Sequence, residues 1–291
     1  MTRRWLVTGC SSGLGSALAS AVAESGDLLV ATARQPAVLE GLAARYPSRV
    51  TTASLDVSDP GHCEAAVAHA VEHFGGVDVL VNNAGTGLLG ALEEVSDDEL
   101  RDQLEVLTVA PWRLTRLVLP LMRRQGSGHI VNISSLAGRM GFPGLSAYVT
   151  GKYALEGMSQ ALAAEVAPFG IRVTVVEPGA FATRYGTALT DAATCIPSYA
   201  QSTGETRTGM RGMADNPTLS DPGTFATHVV RLVASDATPL RVPIGPDAYA
   251  FLDMIEAATR EELAAARAFI ADAVPPPADD SASPAPLTTG P

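Results

Sequence analysis

The stretch RWLVTGCSSGLGSALASAVAESG, residues 4–26, decides the fold. RWLVTG reads as a short buried strand. Thr8-Gly9-Cys10-Ser11-Ser12-Gly13-Leu14-Gly15 follows as a glycine-rich turn, and SALASAVAESG continues as an amphipathic helix. Glycines let backbone N–H groups approach an anion closely, and the start of a helix favours negative charge. A strand, such a turn and a helix, in that order, point to a pyrophosphate cradle. Gly9, Ser11, Ser12, Gly13, Leu14 and Gly15 are its contact residues. The spacing, G-x-x-x-G-x-G, differs from the G-x-G-x-x-G fingerprint.

The same alternation runs outward along the chain. Apolar runs at 28–33, 50–57, 77–85, 129–135 and 171–179 read as strands, with RVPIG (241–245) a weaker seventh. They are rich in Val, Ile and Leu without strict alternation, which suits strands covered on both faces. Helix patterns fill the gaps at 13–25, 36–45, 60–74, 97–124, 147–168 and 221–235. Ser96 with Glu99 has capping-box spacing, and Asp59-Pro60 suits an N-cap with proline at the first helical position. The fold class is therefore α/β: a doubly wound Rossmann fold, its seven-stranded, mostly parallel sheet carrying helices on both faces. Ligands bind such sheets at the carboxyl ends of the strands. Residues 1–274 read as one domain. Within it, 180–220 form a substrate-loop insertion without clear periodicity, and 249–273 a C-terminal helix. The Pro-, Ser- and Ala-rich tail 275–291 reads as disordered.

Composition narrows the function. With 31 Asp and Glu against 20 Lys and Arg, the chain has a formal charge of −11 and no basic run, a poor match to nucleic acid. Its three cysteines, Cys10, Cys63 and Cys195, form no Cys-x-x-Cys pair, so no metal site is expected and a reducing cytoplasm is. No apolar run has membrane-spanning length. The second strand ends VATARQP, without the acidic residue that would bind the ribose hydroxyls of NAD. Arg34 stands there instead, where it can pair with a 2′-phosphate or sit as a solvated loop arginine. NADP(H) is the expected cofactor, with NAD(H) the alternative. Asp56, with Val57 beside it, closes the third strand, placed either to accept from an adenine amino group or to cap a helix.

AYVTGKYAL (147–155) places Tyr148 and Lys152 four residues apart, on one helix face. A free phenol titrates near ~10, so base chemistry at neutral pH needs a shift of roughly 3 units, about 4 kcal/mol. A neighbouring ammonium favours the phenolate. Upstream, the fourth strand ends Asn82-Asn83-Ala84-Gly85 and the fifth ends Asn132-Ile133-Ser134-Ser135; downstream come Pro178-Gly179 and Thr183. Taken together in this order, these motifs closely resemble the short-chain dehydrogenase/reductase family over residues 3–250, and most of all its hydroxysteroid-dehydrogenase and ketoreductase branch.

The resemblance implies an NAD(P)(H)-dependent oxidoreductase acting on a ketone or secondary alcohol. Tyr148 would be the acid/base, Ser135 would hydrogen-bond the substrate oxygen, and Lys152 would hold the nicotinamide ribose and lower the tyrosine pKa. Asn83, Ala84 and Gly85 would line the adenosine side; Phe181 and Thr183, after Pro178 and Gly179, would hold the carboxamide. Many family members carry an asparagine in the preceding helix that supports a water linking the lysine to solvent. Leu107 aligns there, so either backbone carbonyls, helped by Thr108, hold that water or proton exchange with solvent is slow. Gly151 replaces the usual serine before the lysine. Leu107 motivates an alternative function, an isomerase, dehydratase or cyclase that uses bound cofactor without net turnover. Leu88, Leu89, Met140, Phe142, Leu145 and Tyr185 suggest a mid-sized, fairly apolar small-molecule substrate. The apolar surface of the Tyr148 helix suggests a homodimer or homotetramer. No nucleic-acid or membrane partner is expected.

Overall fold

The computed structural model describes residues 2–216 and 219–273. A compact unit extends to Leu252, and a second begins at Asp253. In the first, β1 (Arg4–Val7), α1 (Gly13–Glu24), β2 (Leu28–Ala33), α2 (Glu40–Arg45), β3 (Val50–Ser54), α3 (Pro60–Phe74) and β4 (Val79–Asn82) alternate as expected. After them come β5 (Leu88–Leu89), α4 (Asp97–Leu104), α5 (Ala110–Gln125), β6 (Gly128–Ile133), α6 (Ser146–Val166) and β7 (Ile171–Pro178). The remainder is α7 (Tyr185–Ala188), β8 (Thr190–Asp191), α8 (Ala200–Arg211), α9 (Pro222–Ala234), β9 (Arg241–Ile244) and α10 (Pro246–Ala273), which continues into the second unit. The tail 275–291 lies outside the described residues.

Seven strands form one sheet in the order β3-β2-β1-β4-β6-β7-β9, every pair parallel. The two-residue strands β5 and β8 make a separate parallel pair. Period-2 side-chain alternation explains why the strands are apolar throughout. Trp5, Val7, Leu29, Ala31, Val79 and Val81 face α1 and α9 in one core layer. Leu6, Val30, Leu80 and Ile130 face α3, α5 and α6 in the other. The strand order reverses between β1 and β4, a topological switch point that opens a crevice at their carboxyl ends.

The capping signals hold: Asp59 accepts from His62 N at 3.0 Å, and Ser96 and Glu99 close a capping box. The helix expected at 97–124 forms, but not as one regular α-helix. Between α4 and α5, Glu105–Val109 widens into a π-turn in which Ala110 N bonds Glu105 O. Pro111 has no N–H to give to the Leu107 carbonyl, so one bond of the regular ladder is missing beside the π-turn. The described residues between 180 and 220 hold α7, β8 and α8, where the sequence showed no clear period.

Candidate active site

The turn after β1 is built so that backbone, not side chain, faces a ligand. Gly9 has φ +72, and a Cβ on it would lie 2.9 Å from Ala84 Cα; a Cβ on Gly15 would lie 2.1 Å from Gly9 O. Asn83 Nδ2 donates to Thr8 O at 2.9 Å and Gly9 O at 3.2 Å. Thr8 Oγ1 accepts from Asn83 N and Ala84 N, both at 2.9 Å. The Asn83 side chain therefore braces the turn from the β4 side. Ser12 begins α1 without a side-chain capping bond, and no acidic residue stands in the first turn. The helix start thus offers its N–H groups and positive dipole end to an anion, as a pyrophosphate requires. Thr183 packs 3.5 Å from the position of a Gly13 Cβ. Arg34 is exposed just beyond β2. Asp56 Oδ1 accepts from Ser58 N at 3.0 Å and Ser58 Oγ at 2.7 Å, which holds its carboxyl below the usual range. The cap of α3 is Asp59, so capping does not account for Asp56.

Ser135 follows the end of β6, and its Oγ accepts from Ala137 N at 3.1 Å. Tyr148 and Lys152 lie one turn apart on α6, both buried, with Lys152 Nζ 5.7 Å from the Tyr148 ring centroid. Lys152 Nζ donates to Ile133 O at 2.8 Å, which ties α6 to the end of β6 beside Ser135. Burial pushes the Tyr148 phenol up, while the Ser135 and Tyr185 hydroxyls draw it down. Burial also draws Lys152 down to about 8, against the pull of Glu156. The sequence led to the expectation of a lowered phenol pKa beside a cation. Desolvation is the largest influence instead, and it pushes the phenol up.

Leu107, presented by the π-turn, is buried against α6. A Cβ on Gly151 would meet Leu107 Cδ1 at 2.9 Å, so the glycine before Lys152 is the space the leucine fills. Thr108 Oγ1 donates to Gly151 O at 3.0 Å and is engaged with that carbonyl. Over Tyr148 lies an apolar cluster of Leu89, Leu107, Ala137, Leu145 and Leu189, with Phe142, Tyr185 and Met210 packed on it.

This arrangement matches known proteins. The family model for short chain dehydrogenases fits residues 3–193. The chain belongs to the short-chain dehydrogenase/reductase family. It is 39% identical over 249 residues to the oxidoreductase BOA17 of Botryotinia fuckeliana, covering 85% of this chain and 90% of that one. It is similar to the crystal structure of a short-chain dehydrogenase from Streptomyces avermitilis, with TM-score 0.85 and 42% identity over 94% of this chain and 98% of that one. A metagenomic short-chain oxidoreductase in complex with NADP has TM-score 0.66 and 27% identity over 84% of this chain and 97% of that one. This chain is thus an oxidoreductase of a family that uses a nicotinamide cofactor.

In this short-chain dehydrogenase, Pro178 ends β7 and Gly179 lies against Asp247, whose Oδ2 accepts from Ala180 N at 2.7 Å. Phe181 is buried edge-on to Phe225, ring centroids 5.8 Å apart. Sequence reading did not find Asp247, nor the acidic and basic side chains behind Lys152. It placed Tyr185 only as an apolar wall. The Tyr185 ring lies 6.2 Å from that of Tyr148, and a Cβ on Gly87 would come within 2.6 Å of its hydroxyl. The signal for Tyr185 was Gly87, the small residue that makes room for a phenol from a distant loop.

Proposed function

We propose that this enzyme is an NADPH-preferring reductase of ketones on mid-sized, fairly apolar substrates, reversible as an alcohol dehydrogenase. The observation carrying this reading is a buried Tyr148 phenol one helical turn from Lys152 and near Ser135, roofed by the cluster of Leu89, Leu145 and Leu189. The bound nicotinamide supplies the hydride. Tyr148 donates its proton to the developing alkoxide, and Ser135 Oγ supports the same oxygen as a second donor. Lys152 holds the nicotinamide ribose and presents its charge to the phenol; Gly9 through Gly15 hold the pyrophosphate on backbone N–H groups. Phe181 and Thr183, after Pro178 and Gly179, hold the carboxamide side. Ala84 and Gly85, braced through Asn83, line the adenosine side with Asp56 and Val57. Arg34 favours the 2′-phosphate, and with it NADP(H) over NAD(H). The apolar roof excludes water from the reacting oxygen and selects against polyols.

A second reading, an isomerase, dehydratase or cyclase with no net cofactor turnover, is supported by Leu107, which fills the hole beside Gly151 with a group unable to hold water. Absorbance at 340 nm, with NADPH and a panel of apolar ketones, separates the two. NADPH loss equal to alcohol formed supports reduction; product without cofactor loss supports the second reading.

A further inference from the structure

Lys152 is the only lysine in a chain with 20 basic residues. Its surroundings on the far side from Tyr148 hold a charge network that the hydride-transfer reading leaves unused. Glu156 is one helical turn beyond Lys152, so Tyr148, Lys152 and Glu156 form one line along α6. Arg241 Nε, from β9, reaches Glu156 Oε2 at 2.9 Å and lies 3.8 Å from Glu177 Oε1 of β7. Arg139, in the turn after Ser135, reaches Glu177 Oε1 at 2.9 Å. Glu156 Oε1, Glu177 Oε2 and Ser134 Oγ are buried with no hydrogen-bond partner, and a Cβ on Gly138 would lie 2.7 Å from Ser134 Oγ and 3.3 Å from Glu156 Oε1.

The charges are not symmetrically placed. The Glu156 and Glu177 side chains are 5% and 0% exposed, whereas those of Arg241 and Arg139 are 32% and 30% exposed. Water screens the guanidiniums more than the carboxylates, so Glu156 acts on Lys152 as negative charge, while burial pushes the Glu177 carboxyl up and leaves it the lesser partner. The other groups recorded against the Lys152 ammonium are uncharged: the Ile133 carbonyl and the Tyr148 ring. The π-turn's Glu105 is paired with Arg113, and α4 turns Asp97, Asp98 and Arg101 to solvent. Buried Gln103 of α4 is neutral.

We propose that Glu156, clamped by Arg241 and backed by Glu177, is a positioning residue that keeps the buried Lys152 an ammonium, so that Tyr148 works beside a cation. Glu156 acts through Lys152 and does not touch the reacting atoms. Burial without an opposing carboxylate would release the proton. The proposal rests on the reading of Lys152 as the cation beside Tyr148.

Because the chain holds one lysine, protein grown on lysine labelled with carbon-13 at Cε gives one lysine side-chain resonance, and its shift against pH reads Lys152 directly. No substrate or cofactor is needed, so failure here is separable from failure of the reductase assignment. Glu156→Gln is expected to lower the midpoint by about one pH unit, a roughly tenfold loss of proton affinity. Glu156→Asp should return it toward the wild-type value, and Arg241→Gln, which removes an opposing positive charge, should raise it. A purely structural network predicts another pattern: a loosened helix end admits water, and both Gln variants climb toward the ~10.4 of an exposed lysine. An unchanged or raised midpoint in Glu156→Gln overturns the proposal, as does a lowered one in Arg241→Gln.

Discussion

The roles proposed for Tyr148, Ser135 and Arg34 each rest on one side chain, and each permits a separate test. Tyr148→Phe keeps the ring in its apolar cluster and removes only the proton, so ketone reduction should fall by at least about a hundredfold in steady-state assays. Ser135→Ala, which deletes one donor to the developing oxyanion, should cost about a hundredfold in kcat. Arg34→Ala should weaken NADPH about tenfold to a hundredfold in a fluorescence titration while leaving NADH unchanged, as expected for loss of one charge-assisted pair. Equal losses for both cofactors would make Arg34 a plain loop residue. These candidates could be named from sequence because each chemistry requires one residue type at a fixed offset within the chain. The approach of the Tyr185 ring to Tyr148, and that of Arg139 and Arg241 to Glu177, could not be, since each joins separate elements only through packing.

At the scale of elements, the π-turn and α6 form a matched pair. Gly151→Ala would drive a Cβ to within 2.9 Å of Leu107 Cδ1 and should cost about 1–3 kcal/mol by overpacking. Leu107→Ala in the same chain should recover part of that loss, visible as coupling of about 0.5–3 kcal/mol in a double-mutant cycle of urea melts. Leu107→Asn should raise turnover if proton exchange through Lys152 is limiting. Unchanged turnover, with no solvent isotope effect on the parent, would show that it is not. The sequence displayed both substitutions but not their contact, because the expected helix over 97–124 gave no account of what Pro111 does to its ladder. Between β6 and β7, His129 Nε2 lies 2.9 Å from Thr174 Oγ1, and burial draws its pKa from 6.5 down to about 3. The folded state therefore resists a proton that the unfolded chain takes up below 6.5. Stability from this site is full above 6.5 and is lost as pH falls toward 3, about 2–3 kcal/mol by pH 4.5. His129→Gln should flatten that part of a Tm–pH curve.

At the scale of the molecule, the parallel sheet and its switch point follow from apolar strands alternating with capped helices, and this was legible throughout the first unit. The order within 180–220 was not, because β5 and β8 pair two residues each across about a hundred positions and leave no period to read. Val109 and Trp112 around the start of α5, and Tyr153 on α6, are 42%, 54% and 47% exposed, a cost that pairing with a second copy would remove. Sedimentation should show a dimer or tetramer, and Trp112→Glu should shift it toward monomer. A parent sedimenting as a monomer would exclude that assembly. The central claim, that this fold carries net hydride transfer to a carbonyl, is tested most directly with NADPH carrying deuterium at the transferable C4 position and an apolar ketone. Deuterium at the carbinol carbon of the product, equal in amount to the cofactor oxidised and lost in Tyr148→Phe, is the predicted result. Product formed without deuterium and without cofactor oxidation would contradict it.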